Sequence, residues 1–298
     1  MNEKMNDSVR NKKVIRSFDI DKTVQSFANR LLIANRAEAS IKSYTRAIKR
    51  LHTFHQCDLY QLEIDQIIDF LTYLKVENEL NWRTIKVYVA GLRYFYQEMV
   101  FDPELASQIP YPKEKPSLPA IVSREELKIF FDGCINPKHK VMFRLMYSAG
   151  LRRGELVKLK IADIETQDGK MRIRINKGKG GKDRYTILSK TILEELRVYF
   201  LSAKPKIYLF NGQTKGQPMH PSSVRHALKK GLKNSRLKRN LNMHILRHCF
   251  ASHALEDGLN IKTLQYLLGH QSILTTLIYL HVSDIPLSKA FSPLDTWV

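Results

Sequence analysis

Cysteine is scarce in this 298-residue chain: Cys57, Cys134 and Cys249 lie far apart and form no CxxC pair. That spacing excludes a zinc ribbon and a disulfide framework. No apolar run reaches the roughly 18 residues of a membrane-spanning helix. Met1 to Ile20 is polar and charged, without the apolar stretch of a secretory signal. No GxxxxGK(S/T) pattern occurs, so binding of a nucleoside triphosphate through a Walker loop has no support. These absences lead to the expectation of a soluble protein of a reducing compartment.

Acidic residues are missing in a more telling way. No Asp or Glu occurs between Glu195 and Glu256, a stretch that holds twelve Lys and Arg, among them Arg225, Lys229, Lys230 and Arg247. The whole chain has 49 Lys and Arg against 29 Asp and Glu, a net charge of +20. Residues 1–120 are almost balanced, with 18 basic and 15 acidic side chains, whereas residues 121–298 carry 31 and 14. Twelve uncompensated cations over sixty residues suit the closely spaced phosphates of a nucleic acid. A solvated lysine-rich face is the blander alternative. With 43% hydrophobic residues the chain has enough material for folded cores, and its length suggests about two domains.

The first half reads as helices. Val24, Phe27 and Leu31, then Ile41, Tyr44, Ile48 and Leu51, then Ile64, Ile67, Ile68, Leu71 and Leu74, then Ile85, Tyr88, Val89, Leu92 and Phe95 keep helical spacing. Four such helices form a bundle. Arg83, Lys86 and Arg93 on the last of them are candidates to face a phosphate backbone. The pattern then stops: four prolines fall within the ten residues Pro110 to Pro119, which excludes regular helix and favours an extended linker. Ser123 and Glu126 form a capping-box signal for a new helix. The expected organisation is an extension over residues 1–20, a helical domain over 21–104, a linker over 105–120 and a second domain over 121–298. In that second domain Met171 to Ile175 alternates as a strand, and Tyr185 to Leu188 completes a hairpin across a Gly/Lys turn. The fold class expected is mainly α with a small antiparallel β-sheet.

Four patterns in the second half carry chemistry. In Gly150-Leu151-Arg152-Arg153-Gly154-Glu155 the glycine breaks a helix, placing Arg152 near the start of the next one, where it can reach a phosphate. The hairpin tip presents Lys177, Lys179 and Lys182 among glycines. His244, Arg247 and His248 share one helix face. No carboxylate or thiolate shares that face to make it a metal site, and Arg247 repels a cation. Finally, Gly269 ends a helix before His270, Ser272 can cap the next helix, and Tyr279 falls two turns into it. Taken singly, a surface arginine, a basic turn, solvated histidines and a core tyrosine are the commoner readings.

In this order, Arg, Lys, HxxR, GH and Tyr resemble the tyrosine recombinases, or phage integrase family, and the likeness runs over nearly the whole chain. It is strongest to Xer-type enzymes and simple mobile-element integrases. The resemblance implies a helical, SAM-like core-binding domain followed by an α+β catalytic domain. It assigns Arg152, Lys179, His244, Arg247, His270 and the nucleophile Tyr279 as catalytic, with Glu155 in support. Lys177 and Lys182 are rivals for the hairpin lysine. Ser148-Ala149 and Leu280 depart from the usual family residues at their positions without touching a catalytic group.

The implied reaction cuts and rejoins duplex DNA through a 3′-phosphotyrosine, with strand exchange by way of a Holliday junction. One of His244 and His270 would take the phenolic proton, and Lys179 would protonate the departing 5′ oxygen. No cofactor is implied, because the phosphotyrosine conserves the bond energy. The implied partners are double-stranded recombination sites and a homotetramer on DNA, or a tetramer shared with a paralogous recombinase, in the bacterial cytoplasm at the nucleoid. The tail from Leu280 to Val298 either docks on a neighbouring protomer or folds back on its own domain. The rivals are a type IB topoisomerase-like enzyme and a catalytically silent DNA-binding protein.

Overall fold

The computed structural model describes residues 18–113, 118–176, 183–214, 216–239 and 241–283. The chain divides into two compact units, Met1–Pro116 and Ser117–Val298.

The first unit is helical. Helices α1 (Ile20–Ile33), α2 (Glu38–His55), α3 (Ile64–Val76) and α4 (Trp82–Phe95) follow the four apolar stripes, with Asp19 capping α1 and Asn81 capping α4 through their side chains. Phe27, Ile48, Phe70, Leu74, Val89 and Phe95 are fully buried between them. Helix α4 crosses α2 closely at Gly91, where a Cβ would meet the Tyr44 Cα at 3.1 Å. A π-helical turn, Tyr96–Val100, extends α4, and a short helix α5 (Pro103–Gln108) follows, which the periodicity alone does not reveal. Tyr96 is buried there, and its hydroxyl donates to the Leu59 carbonyl at 3.1 Å.

The second unit packs helices around a small sheet. Helix α6 (Arg124–Gly133) begins at the expected capping box of Ser123 and Glu126. Helix α7 (Pro137–Ala149) ends on Gly150 at φ +61°, beside the Phe250 ring, so a Cβ has neither the conformation nor the room there. Helix α8 (Arg153–Lys158) leads to three antiparallel strands in the order β1 (Ile164–Glu165), β2 (Arg172–Ile175), β3 (Arg184–Ile187). Ile173 and Ile175 of β2 point into the core, while the inward residues of β3 are Arg184 and Thr186. Thr186 is satisfied by the Ala149 carbonyl at 2.8 Å. Then come α9 (Lys190–Ala203), α10 (Pro221–Ser235), α11 (Met243–Glu256), α12 (Ile261–Leu268) and α13 (Leu274–Leu277). Helix α11 is buried on most sides, including Met243, Leu246, Cys249, Phe250 and Leu255. Among the described residues no helix is long and apolar enough to cross a membrane.

Candidate active site

The C-terminal end of α12 organises the site. The last carbonyls of a helix have no partner within it and form the negative end of its dipole. Here three arginines from three different elements take three consecutive carbonyls. Arg184 of β3 donates from Nε to Leu267 at 2.9 Å, Arg247 of α11 from Nη2 to Leu268 at 2.6 Å, and Arg152 from Nη2 to Gly269 at 3.3 Å. Arg247 also donates from Nη1 to the Gly150 carbonyl at 2.6 Å, tying α11 to the turn that precedes Arg152.

One carboxylate counters this charge. Glu155 accepts Nη1 of Arg184 at 2.7 Å and Nη2 of Arg184 at 2.8 Å, and receives both the backbone N–H and Nη1 of Arg152 at 2.8 Å. Burial by itself raises a carboxyl pKa, but the hydrogen bonds and charge of Arg184, then those of Arg152, hold Glu155 down at about 2. Burial, and secondarily the Arg152 charge, push the Arg247 guanidinium down from its ordinary value.

His270 follows the Gly269 turn. Arginine can only donate, so the 3.1 Å contact from Arg247 Nη2 makes His270 Nε2 the acceptor. The neutral ring then carries its proton on Nδ1 and donates it to Thr276 Oγ1 at 2.9 Å. Burial, followed by the Arg247 charge, pushes its pKa down to about 4.

Tyr279 is buried, 2% exposed, with its ring stacked on His270 at 6.4 Å between centroids and 14° between planes. It does not lie two turns into a helix. Helix α13 is only four residues long, and Tyr279 sits in the turn beyond it, where its N–H bonds the Thr276 carbonyl at 3.0 Å. The cap position of α13 is Ile273 and not Ser272, whose hydroxyl, one residue earlier, accepts the Leu274 N–H at 3.3 Å. Burial raises the phenol's pKa above its ordinary value, and the Arg247 and Arg152 charges oppose that rise. The ring nitrogen bonded to the phenol is His248 Nδ1, 2.8 Å from Tyr279 Oη, rather than one of His244 or His270. Burial, then His244 and Arg247, push His248 down to about 4.

His244 is the exposed residue of the first turn of α11, where the Asn242 side chain caps its backbone N–H. Burial of part of its ring, then the charge of Arg153, lowers its pKa. Lys177, Lys179 and Lys182 lie outside the described residues, as does the tail beyond Ser283. Among the described residues no group of three or more His, Cys, Asp or Glu side chains is placed to hold a metal ion.

The candidate DNA contacts differ in kind. On α10, Arg225, Lys229 and Lys230 are exposed while Val224, Ala227 and Leu228 turn inward. In the first unit Arg83 and Lys86 line a groove of about 440 Å³ together with Ser40, Ser43 and Trp82. Arg93 is engaged inside its own unit, donating from Nε to the Ile109 carbonyl at 2.9 Å and from Nη2 to that of Ser107 at 3.0 Å.

Residues 121–285 match the model of the phage integrase family. The chain is a tyrosine recombinase of that family. Residues 24–104 match the family's N-terminal SAM-like domain. The recombinase is 38% identical over 232 residues to the protein y4qK of Sinorhizobium fredii, covering 78% of this chain and 75% of that one. It is 31% identical to the tyrosine recombinase XerC of Staphylococcus saprophyticus, over 86% of this chain and 90% of that one. Its fold is shared with the XerH site-specific recombinase solved on its palindromic difH substrate, with a TM-score of 0.72 at 21% identity, covering 93% of this chain and 85% of that one.

Proposed function

We propose that this recombinase uses Tyr279 as the nucleophile that cuts and rejoins duplex DNA at a specific site. The observation that carries this reading is the position of Tyr279, buried against His270 and His248 beside two guanidinium groups fixed on adjacent carbonyls. A phenol is a weak nucleophile at neutral pH and needs both a proton acceptor and an electrophile made more reactive. Arg152 and Arg247 supply the second requirement by holding the non-bridging oxygens of one phosphodiester as charge builds on them. Their geometry is already set by the α12 carbonyls and by Glu155, so little reorganisation accompanies substrate binding. His244 acts as a hydrogen-bonding partner of the phosphate, His270 braces the Arg247 guanidinium through its Nε2, and Lys179 protonates the leaving 5′ oxygen. The product is a 3′-phosphotyrosine, and attack by the partner strand's 5′-hydroxyl completes exchange.

The exposed cations of α10 and the groove at Arg83 and Lys86 provide backbone affinity for DNA. A lambda integrase of the same fold forms a tetramer on a Holliday junction. The same assembly is proposed for this recombinase, as four identical copies or with a paralogue, working in the cytoplasm at the nucleoid. Two duplexes carrying the recombination site and different flanking labels test the reading. Recombinant products bearing one label from each parent are expected. Relaxation of supercoiled DNA without such products would favour a topoisomerase-like activity instead.

A further inference from the structure

We propose that His248 is a catalytic residue of this recombinase, taking the phenolic proton of Tyr279 during attack and returning it during ligation. This rests on the reading of Tyr279 as nucleophile. Three observations carry it. First, His248 Nδ1 lies 2.8 Å from Tyr279 Oη, within direct proton-transfer distance, with the two rings tilted at 47°. Second, the neighbouring imidazole is committed elsewhere: His270 accepts from Arg247 at Nε2 and donates to Thr276 at Nδ1, which leaves it no lone pair for the phenol. Third, His248 is held from both sides. Arg247, its neighbour on α11, is locked to the Gly150 and Leu268 carbonyls, and Tyr279 is held through the turn in which Ser283 N–H bonds the Tyr279 carbonyl at 2.9 Å.

The titratable and charged groups facing His248 are His244 and Arg247 on its own helix, His270 beyond α12 and Tyr279 beyond α13. Burial and the first two keep the imidazole neutral in the free enzyme, so its Nδ1 lone pair is open to the phenolic O–H. A phosphodiester anion seated on Arg247 offsets that guanidinium's charge and makes His248 more basic as substrate binds. In the forward step the Oη–P bond forms and the P–O5′ bond breaks. The phenolic proton passes to His248 Nδ1, and the 5′ oxygen receives a proton from the hairpin lysine. In ligation the incoming 5′-hydroxyl gives its proton to that lysine, and His248 returns its own to the departing phenolate. Atoms and charge balance without a co-reactant.

The test is single-turnover cleavage of a nicked suicide duplex by the full chain across a range of pH. His248→Asn and His248→Gln are expected to bind DNA as tightly as wild type and to cleave about 10²-fold more slowly. Replacing Tyr279 with a fluorinated tyrosine of lower phenol pKa is expected to recover most of that loss, which a packing defect would not allow. Should both variants unfold, ¹⁵N-histidine spectra of the wild type and of Tyr279→Phe take their place, and the His248 Nδ1 resonance must move between them. Cleavage by the variants at the wild-type rate and pH profile, no recovery with fluorotyrosine, or an unmoved resonance each overturns the role of His248. If the wild type itself forms no covalent adduct, the reading of Tyr279 fails instead.

Discussion

Arg184 and Glu155 meet in a two-point ion pair, Nη1 to Oε1 at 2.7 Å and Nη2 to Oε2 at 2.8 Å, with 7% and 8% of their side chains exposed. The pair joins the first residue of β3 to the helix that follows Arg152. The strand leaving the basic hairpin is therefore bonded to the same carboxylate that orients Arg152. Arg184 also packs its stem against Gly269 and bonds the Leu267 carbonyl, so it reaches the turn that carries His270.

Removing Arg184 leaves a buried carboxylate with half of its partners gone. Arg184→Met is expected to lower unfolding free energy by about 3–5 kcal/mol, the range for breaking one side of a buried pair. Denaturant titration of the full chain measures it. A change below about 1 kcal/mol would show that the pair is not a structural tie.

Acid stability follows from the same group and from the histidines. His248 and His270 titrate near 4 in the folded chain against an ordinary 6.5, so the unfolded state binds their protons first as pH falls. Their contribution is complete above about pH 6.5 and is lost progressively toward pH 4. Glu155 is held near 2 against an ordinary 4.5, so its contribution is lost between about pH 4.5 and 2. Glu155→Gln is expected to remove the lower limb of the stability profile and leave the upper one, as read from unfolding curves at stepped pH.

Gly269 has φ +63°, and a Cβ there would meet Arg184 Cδ at 2.6 Å and Nε at 3.0 Å. Gly269→Ala therefore combines left-handed strain of about 1–2 kcal/mol with displacement of Arg184. The melting temperature is expected to fall and DNA cleavage with it, because His270 is the next residue. Gly154→Ala is the control: a Cβ there meets nothing within 4 Å, and stability is expected to hold or rise.

Much of this was legible in the amino-acid order. Apolar periodicity located α1 to α4, Ser123 and Glu126 marked the start of α6, and Met171 to Ile175 marked β2. Arg152, Arg247, His270 and Tyr279 stand together around the α12 terminus. What escaped has a physical cause. Arg184 was hidden because a charged residue facing the core contradicts strand alternation, and its partner Glu155 is 29 residues away. The contact of His248 with Tyr279 spans 31 residues, so helix spacing shows only that the histidine shares a face with Arg247. Gly269 as a helix end and Ser272 as a cap suggest a helix that runs through Tyr279, yet hydrogen bonding to Thr276 and Ser283 turns the chain at once. Arg93 looked like a DNA contact because nothing local announces that the carbonyls of Ser107 and Ile109 will come to meet it.

Tyr279 as nucleophile is tested most directly by trapping on a nicked duplex whose cleaved fragment diffuses away, so that religation cannot occur. Wild-type protein is expected to accumulate a covalent DNA adduct that peptide mass mapping places on Tyr279, and Tyr279→Phe is expected to form none. An adduct undiminished in Tyr279→Phe, or no adduct with the wild type at a site it recombines, would contradict the account.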